Sequence, residues 1–504
     1  MESPTRNPLL ALLLLACGSS IPTAQSLFVD AVLGSDATGD GSAAMPWKTV
    51  SMGVASAPAG ADLFVAAGTY DVALGEGYPI TVPNSLSIHG AGIGQTVLVV
   101  PPGTNGLLLN GGIATGAVIE DLTLAGMTGT GIRWSAGATA FPSTAGLRDL
   151  ELTGWVRGLQ VTDTSSFVSP VRVEGLRFES CVFGAEVNIT FADSVNWEFN
   201  DCEFNSCSIG IQANSSSFGP LNSATLQVLS SQFRDGGAGI RVFAQSAVAF
   251  NLFVERTVIG KCVTGIQFQP GGFAPFVGVT LRDTTVAGCT TGLDFSHQAS
   301  LSSSTVQRCI VFGNTLDLSN PSGSSITVTE SDVGGGFPPV LPPSLSVDPL
   351  FVDPAGGDFH LQPGSPVIDA TSATPLQMTD LDLDPLLLDG DQNGTALRDM
   401  GYDEYNPVQL SLTGNPVPGG LATLSVTAPA GYAEFLLFSF SQDQIDFGSL
   451  GTILIGAPQF PIPEGTYGLP NDPLLSGLEL FFQGLGVAVA GTPGSVSKLV
   501  SVTL

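Results

Sequence analysis

Positive charge is scarce in this chain. Of 504 residues, 15 are Lys or Arg against 44 Asp or Glu, giving a formal net charge of −29, and only Lys48, Lys261 and Lys498 are lysines. This balance argues against a nucleic-acid partner, whose affinity comes chiefly from phosphate neutralisation, and against unassisted binding to anionic membranes. An acidic polysaccharide would also be repelled unless a divalent cation bridged the two. Long apolar runs are missing as well. Beyond the N-terminus no 18 consecutive apolar residues occur, so no transmembrane helix is expected. Histidine appears three times and no Cys-x-x-Cys pair occurs, which argues against a zinc site.

What the chain has in quantity is a repeat. Gly131, Gly158, Gly184, Gly210, Gly239, Gly265 and Gly292 are spaced by 27, 26, 26, 29, 26 and 27 residues. Each opens a phrase that alternates apolar, polar, apolar. Self-similarity at such a period marks a solenoid or a propeller, and a blade of about 40 residues is longer than this spacing provides. The alternation reads as a strand with every second side chain inward. Ile132, Leu159, Ala185, Ile211, Ile240, Ile266 and Leu293 form one inward column, and Arg133, Gln160, Glu186, Gln212, Arg241, Gln267 and Asp294 form the outward one. A second strand is expected around Leu152, Phe178, Phe204, Phe233, Ile259 and Val286, six residues before each glycine. The glycine is expected to be the bend between the two strands, adopting positive φ. Two or three short strands per turn of about 26 residues, with no helix between them, describe a parallel β-helix.

Cys181, Cys207, Cys262 and Cys289 lie three residues before their glycines and share one column. They read as small buried hydrophobes. Strands about 4.8 Å apart also leave open a disulfide between neighbouring coils after export. Residues 1–26 read as a signal peptide: Arg6 precedes the apolar run from Leu9 to Ala16, followed by the small-x-small site Ala24-Gln25-Ser26. Leu14-Leu15-Ala16-Cys17 offers the competing reading of a lipobox with Cys17 lipidated, so the chain is expected to be secreted or attached to the cell surface.

The segment from Phe28 to Ser42, then Pro46 to Val50 and Asp62 to Tyr70, resembles the N-terminal, DUF1565-like module of secreted bacterial right-handed parallel β-helix proteins of the pectate-lyase-like superfamily. The resemblance implies a short helix between Trp47 and Ala57 that caps the open end, with Leu63 to Val65 beginning the first coil. The stretches 346–370 and 380–405 resemble the closing section of such proteins, so the right-handed β-helix with its cap and acidic closing segment is assigned to 27–407. Prolines 338, 339, 342 and 343 end the repeat. Residues 408–504 lack the repeat and alternate as short strands between turn residues, which predicts a small antiparallel β-sandwich-like domain.

Asp389, Asp391 and Asn393, at alternate positions before Gly394, suit a calcium loop, with Asp399 or Asp403 a further oxygen ligand. The competing reading is an acidic turn whose side chains bond their own backbone. The polygalacturonase, pectate-lyase and pectin-methylesterase signatures that the resemblance invites are absent. The nearest sketch of a catalytic group is Asp201 and Glu203, two apart in one strand, beside Arg177 of the coil above; the preferred reading of them is a solvated charge ladder. His297, three residues after Asp294, is a weaker base candidate. The sequence thus predicts an exported monomeric protein that binds extracellular polysaccharide or cell-surface glycan, or serves as a scaffold, through its outward polar column, with Ca2+ as a candidate cofactor. The alternative is a divergent polysaccharide lyase or glycoside hydrolase, which needs a groove walled by the insertions at 135–146, 213–225 and 269–278.

Overall fold

The computed structural model describes residues 25–503 except 111–116, 137–145, 164–170, 190–193, 216–222, 245–249, 271–276, 296–303, 321–325, 336–342, 373–378, 383, 385, 387, 392, 394, 415–420, 429–431, 440–441, 447–451, 456–459, 463–464, 469–478 and 489–494. The apolar run of the predicted signal peptide, Cys17, His297 and most of the three predicted groove-wall insertions therefore lie outside the described residues.

The repeat folds into a parallel β-solenoid. Each regular coil contributes three strands, as in Ser194–Asn200, Glu203–Asn205 and Ile209–Ser215. The strands that carry the repeat glycines stack into a ten-stranded parallel sheet, and the other two kinds stack in ladders of a second sheet. Register places the columns as the period-two pattern requires: Leu159 faces Ala185, which faces Ile211, then Ile240. All four are fully buried. The upstream column is an aromatic stack, with the rings of Phe178, Phe204 and Phe233 nearly parallel at centroid separations of 4.7 and 4.5 Å. Cys181, Cys207, Cys262 and Cys289 of the predicted column, like Cys202 and Cys309, are buried free thiols.

The reason for the glycines differs from the expectation. None of the seven has positive φ; the bends are made instead at residues such as Asp149, Ser180, Asp201, Ser206, Ser230 and Asp235, which lie in the left-handed region. Asp and Ser tolerate that region better than most side chains, because their short polar groups bond locally. Each glycine is required for space. A Cβ on Gly210 would stand 2.5 Å from Cδ1 of Phe233 and 2.6 Å from the carbonyl oxygen of Gly239.

At the N-terminal end the predicted cap is present as the helix Val50–Ser56. Thr49 Oγ1 accepts from the Met52 amide, and the Glu76 carboxylate accepts from the Val50 and Ser51 amides at 2.7 Å, so the first turn is satisfied. Its buried Gly53 lies against Val29 and Leu63, closing the core. The first coil starts earlier than Leu63, because Ser26–Val29 pairs in parallel with Asp62–Val65 as the terminal rung. Ser26, placed last in the predicted signal, is thus the first ladder residue.

The acidic closing segment packs on the flank of the last coils. In the short second strands, the middle residue alone is buried in Glu203–Asn205 and Gln232–Arg234, whereas all three are buried in Val258–Gly260 and Thr285–Ala287. Phe359 supplies the cover, its ring occupying the space a Cβ on Gly260 would take. Phe351, Leu361, Val367, Ile368, Met400 and Tyr402 complete this lateral core. From Gln409 onward the strands are antiparallel, in small sheets built on Gln409–Gly414, Leu421–Thr427, Tyr432–Ser439, Glu479–Ala488 and Ser495–Thr503. Leu410, Leu424 and Val426 of one sheet share a core with Leu436 and Phe482 of another.

Candidate functional site

Two polar regions emerge. The first is the outward column of the ten-stranded sheet, where Arg133, Gln160, Glu186, Gln212, Arg241, Gln267 and Asp294 occupy successive rungs in register. These side chains hydrogen-bond along the stack. Glu186 accepts from Arg157 Nε at 2.6 Å, from Gln160 Nε2 at 2.9 Å and from Asn214 Nδ2 at 3.3 Å. Gln212 donates to Asn214, and Arg241 Nε donates to Gln267 Oε1 at 2.7 Å. Glu186 and Gln212 are each 8% exposed, so the middle of the column is covered, while Arg133 at its N-terminal end is exposed. Its two carboxylates, Glu186 and Asp294, stand four rungs apart, about 19 Å at the usual strand spacing. That is beyond the 5 to 9.5 Å of a glycosidase pair.

The Asp201, Glu203 and Arg177 group is looser than the sequence suggests. Asp201 does not share a strand with Glu203: it is the left-handed corner residue before Glu203–Asn205, with φ 53°. Glu203 does face Arg177 in register, with Arg177 Nε 3.6 Å from its carboxylate, and both are well exposed. Burial, Glu203 and Glu174 push the Asp201 carboxyl above its usual range. An exposed pair of this kind contributes less than about 1 kcal/mol.

The second region is the closing segment. Asp389 and Asp391 come together with Asp369, their ligand oxygens within 4.8 Å of one another. Asp399 is outside that group, while Asn393 adjoins it through Asp391. Asn393 Nδ2 donates to Asp391, and Asp399 accepts from the Asp369 and Tyr405 amides at 2.7 and 2.6 Å. Both Asp369 oxygens also accept from backbone, from Leu397 and Asp391. The carboxylates here stitch the turn together, yet each oxygen has a second lone pair for a cation.

Asp380, Asp399 and Glu404 are buried backbone acceptors too, and burial, then mutual repulsion, drives their carboxyls well above the ordinary range. Glu404 borders a cavity of about 400 Å³ that is also lined by Asp358, His360, Asp382, Asp384 and Asp403. His360 Nε2 meets Asp382 Oδ2 at 2.7 Å, Nδ1 meets Asp358, and Asp403 accepts from the Leu361 amide at 3.0 Å. Burial pulls the imidazole down, but Asp382, Asp403 and Asp358 outweigh it and push it up to about 9. His360, Asp382 and Asp403 form a second group with ligand atoms within 4.8 Å. Of these the sequence reading named Asp403 alone, as an alternative calcium ligand; it missed His360, Asp382 and Asp369, which come from separate stretches joined only by the fold. The one local signal was the alternating Asp380, Asp382 and Asp384.

These features define a parallel β-helix protein with a capped N-terminal end and a lateral acidic segment. The chain belongs to the family described as "Protein of unknown function (DUF1565)", whose signature matches residues 32–323. No curated protein matches it. Among solved structures it is similar to pectate lyase Pel9A, with a TM-score of 0.41 and 14% identity over 77% of this chain and 98% of that one. It is also similar to a rhamnogalacturonan lyase, with a TM-score of 0.32 and 10% identity over 65% of this chain and 91% of that one. Among the described residues no helix is long and apolar enough to cross a membrane.

Proposed function

We propose that this is an exported β-helix protein, with a β-helix over 27–407 and a separate small domain over 408–504, that binds extracellular carbohydrate through the outward column of its ten-stranded sheet and serves as a surface scaffold. The observation that carries this reading is the column itself: amide and charged groups repeat rung by rung, held by one another's hydrogen bonds. Groups fixed in this way recognise hydroxyls at low entropic cost. The large separation of Glu186 and Asp294 weighs against hydrolysis on this face. Arg133, exposed at the end of the column, is the residue on which a sugar contact depends most.

The test is a glycan array with the full chain, with and without calcium, followed by assay of bound glycans for new reducing or unsaturated ends. Binding without product, weakened about tenfold by Arg133→Ala, is the expected result. Product release would establish the lyase or hydrolase instead, and an array without hits would leave the column as structure only.

We assign calcium a structural role at Asp369, Asp389 and Asp391. Millimolar Ca2+ is expected to raise the unfolding midpoint, since a ligand at 100 times its Kd stabilises by about 2.7 kcal/mol. Asp391→Asn should remove most of that shift; an unchanged midpoint in wild type would reduce the loop to a stitched turn.

A further inference from the structure

The cavity in the closing segment differs from the Asp369, Asp389, Asp391 turn in carrying a nitrogen ligand, His360, with a buried tyrosine packed beside it. Tyr402, 3% exposed, has no hydrogen-bond partner for its hydroxyl among the described residues. Its ring centroid is 5.7 Å from that of His360, and the charges its hydroxyl senses are those of Asp403, Asp382 and Asp358, with Arg234 opposing. Leaving a buried hydroxyl without a partner is costly, and water on an ion held beside His360 is the kind of partner it lacks.

We propose that His360, Asp382 and Asp403 bind a borderline divalent transition-metal ion, of which Zn2+ is the probe. The inference is independent of the carbohydrate reading. Ligand atoms from all three already lie within 4.8 Å of one another. An imidazole nitrogen beside two carboxylates selects against Ca2+ and Mg2+, which take oxygen ligands, and suits Zn2+ or Mn2+. Three protein ligands leave a coordination position open, here toward the cavity of about 400 Å³. Asp358, at the other ring nitrogen, is placed to fix the tautomer in which Nε2 faces the ion. The absence of Cys-x-x-Cys spacing does not bear on such a site, because its ligands are 22 and 21 residues apart and meet only when the segment folds onto the solenoid.

The experiment is titration of the chelator-stripped full chain with Zn2+ in millimolar Ca2+, by calorimetry, and with Co2+, whose visible absorption reports ligand geometry. One equivalent of Zn2+ should bind at micromolar Kd or tighter. Asp382→Asn and His360→Ala should each weaken it by 30-fold or more, Tyr402→Phe by a few-fold, and Asp391→Asn not at all. Should His360→Ala fail to fold, the ring signals of 15N-labelled histidine in wild type decide, since Zn2+ must shift one of them. The proposal is overturned if wild type binds no Zn2+, if the Asp382 variant binds as well as wild type, if Ca2+ displaces the ion, or if Asp391→Asn abolishes binding.

Discussion

Gly210→Ala destabilises the protein by about 3 kcal/mol or more, and Gly210→Val prevents the central coils from forming. A methyl at this position would lie 2.6 Å from the Gly239 carbonyl oxygen and 2.5 Å from the Phe233 ring. Overpacking a core by one methylene ordinarily costs about 1–3 kcal/mol. Here the result sits at or above that range for two reasons. The carbonyl belongs to the next rung and is fixed by its ladder, and the ring is clamped in a stack 4.5 Å from Phe204. Phe233→Leu in the Gly210→Ala background should restore little, since the carbonyl contact stays. Gly77→Ala serves as the control, because its added Cβ meets nothing nearer than Ser51 Oγ at 3.7 Å. Urea midpoints of the four proteins measure the difference. A loss below 1 kcal/mol for Gly210→Ala would show that the coils separate freely and that the glycine column has another cause.

The same column shows where the sequence is legible and where it is not. Inward and outward positions follow from alternation within one strand, a property of four consecutive residues, so Ile211 and Gln212 are assigned by local pattern alone. The role of Gly210 depends on Phe233 and Gly239, which are 23 and 29 residues away. Positive φ is the commonest reason for a glycine, yet a bend can equally be made by Asp or Ser, as Asp201 and Ser206 do. The ladder containing Ser194–Asn200 was overlooked although its signal is present. Leu147, Val173, Phe199, Val228, Val254 and Leu281 all lie eleven residues before a repeat glycine, and all are fully buried. Alignment on the glycine favoured the strands nearest to it. The acidic segment is the hardest case. Its sequence shows an excess of aspartates but not which of them the fold gathers, and only the packed segment brings Asp382 and Asp403 to His360 while Asp380, Asp399 and Glu404 bond neighbouring backbone amides.

Asp332→Asn stabilises the protein at neutral pH by about 2–3 kcal/mol and has little effect at pH 4. Asp332 begins the last short strand of the solenoid and is fully buried. One carboxylate oxygen accepts from the Val347 amide at 2.9 Å, and the other has no hydrogen-bond partner among the described residues. Burial, opposed by the Val347 bond and reinforced by Asp317 and Asp348, pushes its carboxyl from 3.8 up to about 6. An acid with a raised pKa in the folded state favours folding only where it is protonated. Below pH 4 it is protonated folded and unfolded alike, and ionisation costs nothing. Between 4 and 6 the unfolded chain ionises first, and above 6 the full penalty applies, about 1.4 kcal/mol for each unit of difference. Asparagine keeps the acceptor for Val347 and presents an N–H₂ in place of the unpaired oxygen, toward the charge of Asp317. Comparing urea midpoints of wild type and variant at pH 4.5 and 7.5 isolates this residue from the other buried acids, which are common to both. The gain should grow with pH through that window. An equal gain at both values would point to packing rather than ionisation, and a loss at pH 7.5 would mean that the Asp332 carboxylate is held by a cation at the end of the solenoid.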